Sequence, residues 1–303
     1  MSDVANMTGI FTEKMEEKKY GKQVKAGDRF EFGKNWRSFL RLLSDERILI
    51  CEMSLKEMMC VDNLSGKSFL DIGSGSGLFS LAAKKLNARV HSIDFDPNSV
   101  KCTRYLKEKY YPGSEKWTIE EASVLDNKYM SQLPKFDIVY AWGVLHHTGN
   151  LQLALENASI PVDINGLLFI AIYNDQGRKS KLWLIVKKIF NSSLVGKTIT
   201  VTVFYALFFT NGLIRDVFNF KNPFKRYREY RKKRGMSMFH DWKDWLGGLP
   251  YEVATPELIV KFYARRGFKL EKVKRVNGLG NNQFIFRKSG TQNRIKNKAQ
   301  PKV

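Results

Sequence analysis

The chain is poor in the residues that staple or metallate small folds. It has three cysteines, Cys51, Cys60 and Cys102, in 303 residues, and none forms a CxxC pair. An odd, scattered set argues against a disulfide framework or a zinc site. Reduced thiols packed as small apolar groups are expected, as in a cytoplasmic protein. Acids are also scarce: 30 Asp and Glu face 51 Lys and Arg, for a formal charge of +21. The excess is concentrated. Lys221 to Arg234 holds eight basic residues and one acid, Glu229, and Arg287 to Val303 holds six and none. Such patches suit a polyanion, whether nucleic acid, an anionic membrane surface or a phosphorylated molecule. Long apolar runs are missing as well. The longest uncharged stretch, Thr198 to Ile214, has 17 residues, among them four Thr, an Asn and a Gly. A spanning helix wants about 20 mostly apolar residues, so this stretch reads as a buried or interfacial segment. The opening MSDVANMTGIFTEKMEEKK lacks a basic region followed by an apolar core, so no secretion signal is expected.

What is present is material for a core, 43% hydrophobic and 13% aromatic. A polar lead-in is followed by helical spacing from Asn35 to Met59, broken at Ser44-Asp45, a capping pair. From Ser68 the rhythm alternates. KSFLDIG is a strand, and a helix carrying Leu78, Leu81 and Leu86 follows. ARVHSID is the next strand, and Pro97 opens a helix that runs to about Tyr110. WTIEEA, FDIVYAW and Gly166-LLFIAIY complete five predicted strands, with a helix over Leu151 to Ile160 before the last. Alternation of this kind builds a parallel sheet with right-handed crossovers. It stops for about 80 residues after Tyr173 and resumes at Thr255-Pro256-Glu257, a helix start. Two strands on a short glycine-rich link, Gly267-FKLEKVKRV and Asn282-QFIFRK, should pair antiparallel.

The chemistry-bearing signal is Asp71-Ile-Gly73-Ser-Gly75-Ser-Gly77, at the end of the first strand and the start of a helix. Glycines let the backbone turn tightly and approach a ligand, and free N–H groups at the helix start hold an anionic group. Asp71 can hold an ammonium. Asp94 closes the second strand, where a carboxylate can take ribose hydroxyls. Together these point to an adenosine-containing cofactor. A nicotinamide dinucleotide fits less well than S-adenosylmethionine. Position 78 is Leu, so GxGxxG is incomplete; an acid precedes the loop; and the closing strand pair suits a sheet with a reversed last strand.

At these residues the chain resembles the class I S-adenosylmethionine-dependent methyltransferases. FLDIGSGSGLFSLAA looks like their first motif, HSIDFDPNSV like their second and FDIVYAWGVLHHTG like their fourth-strand motif. The resemblance covers roughly residues 65–172 and 255–287, and within the class it is nearest the ubiquinone-biosynthesis O-methyltransferase type. GVLHH stands where that type carries an acid-bearing loop, and the insertion is longer here. The resemblance implies an α/β, Rossmann-like class I methyltransferase fold: a mostly parallel seven-stranded sheet with an antiparallel last strand and a helical insertion after the fifth strand. The implied division is a helical lead-in over 1–64, a cofactor-binding core over 65–172, a basic and apolar insertion over 173–254 serving as lid or acceptor region, a closing helix and hairpin over 255–288, and a disordered basic tail over 289–303. S-Adenosyl-L-methionine is the implied cofactor. By position, Asp71 and Gly73 lie near its methionine part, Gly75 and Gly77 shape the turn, Asp94 binds ribose and Phe95 flanks adenine. Ser123 and Val124 meet the adenine edge, with Asp126 a further candidate, and Ala141 and Trp142 approach the ammonium.

A hydroxyl acceptor needs to lose its proton before it attacks a methyl group, and a positioned base contributes roughly 10²–10⁴-fold. Of four histidines, His146 and His147 follow the fourth strand, where α/β ligand sites lie, and His240 sits in FHDWKDWLGG beside Asp241. These three are the candidate bases; His91, inside a strand, reads as structural. Tyr173 and Asn174 either line an acceptor pocket or serve the fold. Aromatic and aliphatic surface next to a basic cluster is the recipe for peripheral membrane binding. The expected acceptor is therefore a small or lipid-linked molecule, methylated at a hydroxyl oxygen by a cytoplasmic enzyme that touches an anionic membrane through 182–234. An RNA-modifying methyltransferase is the alternative, since Lys225-Arg-Tyr-Arg-Glu-Tyr-Arg also suits phosphates and stacked bases. A non-catalytic cofactor-binding protein is the third reading.

Overall fold

The structure is a computed structural model describing residues 20–220, 222 and 238–290. The tail from 291 and most of the basic segment 221–234 lie outside the described residues.

Seven strands form one sheet in the order β3-β2-β1-β4-β5-β7-β6. They are β1 (Ser68–Ile72), β2 (Arg89–Asp94), β3 (Trp117–Glu121), β4 (Phe136–Trp142), β5 (Val162–Tyr173), β6 (Phe268–Lys274) and β7 (Asn281–Lys288). The first five run parallel, and β7 pairs antiparallel with both β5 and β6. Strand β5 is longer than its apolar run, because Val162 also pairs with Phe136 across an irregularity. The chain reverses direction across the sheet between β1 and β4, so a crevice opens at their carboxyl ends.

Helices α1 (Phe32–Leu40), α2 (Asp45–Met59), α3 (Leu78–Lys85) and α4 (Pro97–Tyr110) lie on the amino-terminal half. Their start signals work as chemistry. Asp96 accepts from the Asn98 N–H at 2.9 Å to cap α4, with Pro97 in the first turn, where no N–H is missed. Strand β4 is covered on both faces. Ile138 and Tyr140 enter a cluster with Leu55, Phe69 and Trp117, while Val139 and Ala141 enter the opposite one with Ile170, Tyr263 and Phe284. That two-sided burial is why its sequence is continuously apolar.

Helices α5 (Asn127–Gln132) and α6 (Leu151–Ser159) follow β3 and β4. The insertion holds α7 (Arg178–Ser192), α8 (Leu194–Phe218) and α9 (Met238–Gly247), and α10 (Pro256–Ala264) leads back to the sheet. Ser193 caps α8 through the Gly196 N–H. Here burial of the uncharged stretch is corrected. It belongs to a 25-residue helix, long and apolar enough to cross a membrane by length and composition, of whose most apolar window only 11% is buried. Among the described residues its inner face, through Val201, Phe204 and Tyr205, packs with Phe190 of α7 and Leu246 of α9.

Candidate active site

The glycine turn sits at the crevice. Gly73 has φ +71°, and a Cβ there would meet both Val144 methyls at 2.5 Å; Gly77 has φ +78°, and a Cβ would lie 2.8 Å from the Thr103 backbone. Only glycine combines that backbone with those approaches. The Gly73 and Ser74 N–H groups donate to the Ile93 carbonyl, which ties the turn to β2. Asp94 holds the same turn from β2. Its carboxylate accepts from the Gly75 N–H and the Asp96 N–H, both at 2.8 Å.

Asp71 is buried behind the turn. It accepts from the Ser80 hydroxyl at 2.5 Å, and Ser80 in turn meets Ser92 at 2.7 Å, which accepts from the Trp117 indole at 2.9 Å. Burial pushes the Asp71 carboxyl up to about 7, against the hydrogen bonds from Ser80. Burial, followed by the charge of Asp96, pushes Asp94 to about 7 as well, with Asp71 the smallest upward cause. A pair of carboxyls held this way favours a cation between them, because a positive charge would return both to the ionised form.

Ser123 and Val124 are buried after β3; the Ser123 hydroxyl accepts from the Leu125 N–H at 3.2 Å. Asp126 caps α5 by accepting from the Tyr129 N–H at 3.0 Å, which occupies it structurally. Ala141 is buried at the end of β4, and Trp142 is exposed there with its ring 6.3 Å from Phe79.

One set of residues at this site carries no sequence motif. The segment before α1, with the first turns of α1 itself, folds over the crevice. Tyr20 donates to Asp96 at 2.7 Å, as does the Gly33 N–H. The Arg29 guanidinium lies 5.0 Å above the Phe95 ring and donates to the His147 carbonyl at 3.1 Å. Trp36 meets the turn at Gly75. These contacts join residues far apart along the chain, so periodicity could not reveal them; aromatic and Arg residues in a polar lead-in were the only hint.

His146 and His147 occupy a short 3-10 turn (Leu145–His147) after β4. Both are buried, with ring centroids 4.5 Å apart, and His146 lies 4.1 Å from the Tyr173 ring. His147 Nδ1 donates to the Pro250 carbonyl at 2.6 Å, which leaves Nε2 as its acceptor nitrogen. Burial and the charge of Lys187 drive His147 down to about 3; burial drives His146 well below its ordinary value. The side chains of His240 and Asp241 lie outside the described residues. His91 pairs with Glu120 at 2.7 Å, away from the crevice. Asn174 donates to the Val276 and Gly278 carbonyls, pinning the β6–β7 link, whereas Tyr173 sits among Trp245, Tyr251 and both histidines.

Residues 70–168 match the family model described as "Methyltransferase domain". The chain is 31% identical over 123 residues to "Ribosomal protein L11 methyltransferase" of Anoxybacillus flavithermus, an alignment covering 36% of this chain and 39% of that protein. It is 28% identical over 125 residues to "Ubiquinone biosynthesis O-methyltransferase" of Glaesserella parasuis, covering 41% of this chain and 52% of that one. The chain thus spans about half or less of these relatives. A solved structure of Burkholderia thailandensis 1,6-didemethyltoxoflavin-N1-methyltransferase, with S-adenosylhomocysteine bound, superposes with TM-score 0.47 at 14% identity, covering 90% of each chain. The sheet order and the matched region make this a class I S-adenosylmethionine-dependent methyltransferase domain in a Rossmann-like fold, with S-adenosyl-L-methionine as the cofactor of that domain.

Proposed function

We propose that the whole chain works as an S-adenosylmethionine-dependent methyltransferase, acting on a hydroxyl oxygen of a small or lipid-linked acceptor at an anionic membrane surface on the cytoplasmic side. One observation carries the cofactor half of this reading. Two carboxyls, Asp71 and Asp94, flank a glycine turn at the sheet's reversal point, and each is held near 7 by burial. The residues fit a cationic nucleoside-amino acid. Asp94 faces the ribose, Phe95 the adenine face, and Ser123 and Val124 the adenine edge. Asp71, Gly73 and Trp142 hold the methionine end, and Gly75 and Gly77 keep the turn open. The bound cofactor supplies a methyl group on a sulfonium for in-line displacement; the protein supplies alignment. The 20–36 segment, through Tyr20, Arg29 and Trp36, closes the adenosine end against water.

The membrane half rests on α7 and α8. Leu182, Ile185 and Ile189 are exposed along α7, and Ile199, Val203 and Leu207 are exposed along α8. An exposed apolar face this long marks an interaction surface. The basic segment 221–234 begins just beyond α8, the order that anionic headgroups select.

The test is incubation of the protein with methyl-labelled cofactor and fractionated extract. Label in lipid or small aromatic metabolites supports the reading. Label in RNA or in ribosomal protein supports its rivals, a basic RNA-modifying enzyme or the acceptor named for the L11 relatives. That relative's alignment covers 36% of this chain and 39% of its own length, so its acceptor is not carried over to this chain. Cofactor binding lost in both Asp71→Ala and Asp94→Ala is expected; unchanged binding in both would remove the site.

A further inference from the structure

We propose that Arg29 is a positioning residue that joins the adenosine end of the cofactor pocket to the wall of a neighbouring groove, so that a bound cofactor fixes the groove in shape for the acceptor. This rests on the methyltransferase reading and deepens it, adding a coupling residue and an order of binding.

Arg29 precedes α1 and touches elements that are distant along the chain. Its guanidinium carbon lies 5.0 Å above the ring of Phe95, which follows β2. Its Nη1 donates to the His147 carbonyl at 3.1 Å and its Nη2 to the Thr148 carbonyl at 3.4 Å, both in the loop after β4. Its Nε donates to Gln23 Oε1 at 2.7 Å, which sets the plane of the fork. One planar cation thus covers a ring on the cofactor side and gathers two backbone carbonyls on the other.

The loop that Arg29 gathers is a wall of an open groove of about 460 Å³. Gly149 and Glu252 line one side of it, Gly27 and Asp28 another, and Lys188 of α7 a third. The loop is stitched to Glu252. The Glu252 N–H donates to the His146 carbonyl at 3.0 Å, and the Glu252 carboxylate accepts from the Gly149 N–H at 3.1 Å and the Leu151 N–H at 2.9 Å. A shift at His147 or Thr148 therefore moves the groove wall.

Coupling requires a state that the cofactor itself favours. The segment that carries Arg29 also covers Phe95 and Asp96. The Tyr20 ring lies 5.7 Å from Phe95, and its hydroxyl donates to Asp96 at 2.7 Å. An adenosine held at Asp94 and Phe95 touches this segment only when the segment is docked, so binding favours docking. The docked segment brings Arg29 to the two carbonyls. The cofactor then binds first, and the groove is set second.

A purely electrostatic role is the rival. Burial works against the charge of Arg29, and Asp94 and Asp96 work for it. Among the described residues, however, the guanidinium makes no ion pair. Its bonds go to three neutral oxygens, which a planar fork can satisfy together and a point charge cannot.

The experiment is hydrogen exchange on the full chain, free and saturated with S-adenosylhomocysteine. Peptides over 92–96 report the cofactor's own contacts, and peptides over 147–151 report the groove wall. In wild type both should slow, the groove wall by about fivefold or more. Arg29→Lys keeps the cation and loses the fork. With ligand saturating, it should keep the slowing over 92–96 and lose it over 147–151. Gln23→Leu touches neither Phe95 nor the loop and should shrink the same slowing, because Nε loses the oxygen that orients it. Full slowing over 147–151 in Arg29→Lys is the electrostatic result and overturns the proposal. So does wild type that binds S-adenosylhomocysteine without slowing there, which needs no variant and leaves the methyltransferase reading standing. Wild type that does not bind S-adenosylhomocysteine at all ends both.

Discussion

Cofactor affinity should rise with pH between 6 and 8, and the structure sets how steeply. Asp71 and Asp94 stand near 7 when the crevice is free, so each is largely protonated at pH 6 and largely ionised at pH 8. A ligand carrying positive charge binds the ionised forms and draws the equilibrium toward them, releasing protons. For one carboxyl at about 7, the apparent dissociation constant carries a penalty of about elevenfold at pH 6 and about 1.1-fold at pH 8, a change of about tenfold, or roughly 1.4 kcal/mol. If both must ionise, the change approaches about 100-fold. The sign follows from the raised values: carboxyls at their ordinary 3.8 would be ionised throughout and give no slope. The assay is calorimetric titration of S-adenosylmethionine in two buffers of different ionisation enthalpy, at pH 6, 7 and 8. Heats that depend on buffer at pH 6 and not at pH 8 count the released protons. A flat dissociation constant with no proton release would show that neither carboxyl meets the cation.

Gly73→Ala should cost about 2 kcal/mol or more in denaturant unfolding, since its Cβ would enter Val144 at 2.5 Å on a backbone of φ +71°. Arg29→Ala removes the cation over Phe95 and the bond to the His147 carbonyl, and should weaken cofactor binding by about 1–3 kcal/mol in the same calorimetry. Wild-type protein should float with phosphatidylglycerol vesicles at low salt and not with phosphatidylcholine alone. The pair Val203→Glu and Leu207→Glu, both on the exposed face of α8, should abolish flotation without changing cofactor affinity; flotation that survives the pair refutes membrane docking through that face.

Much of the sheet was legible because its signals are local. The KSFLDIG strand, the Pro97 start and the Asp94 terminus each follow from a few neighbouring side chains and their capping or pairing needs. The same locality exposed Asp71, Asp94 and the three glycines as a set. The length of β5 was under-read, since the pairing of Val162 with Phe136 is a relation between distant segments. The uncharged run was read as buried or interfacial, and the buried alternative fails because, among the described residues, only a small part of its most apolar window is covered.

From its sequence alone this protein settles its sheet alternation, its glycine turn with paired acids and its charge distribution, all properties of residues near one another along the chain. Tertiary structure alone decides that Tyr20 and Arg29 close over Asp96 and Phe95, that His147 is spent on the Pro250 carbonyl, and that Lys187 is enclosed by Tyr173, Trp245 and Tyr251. The reason is physical. A backbone conformation or a helix cap depends on a few adjacent torsions, whereas desolvation of a charge depends on every segment that excludes water from it, and those segments here come from both ends of the chain.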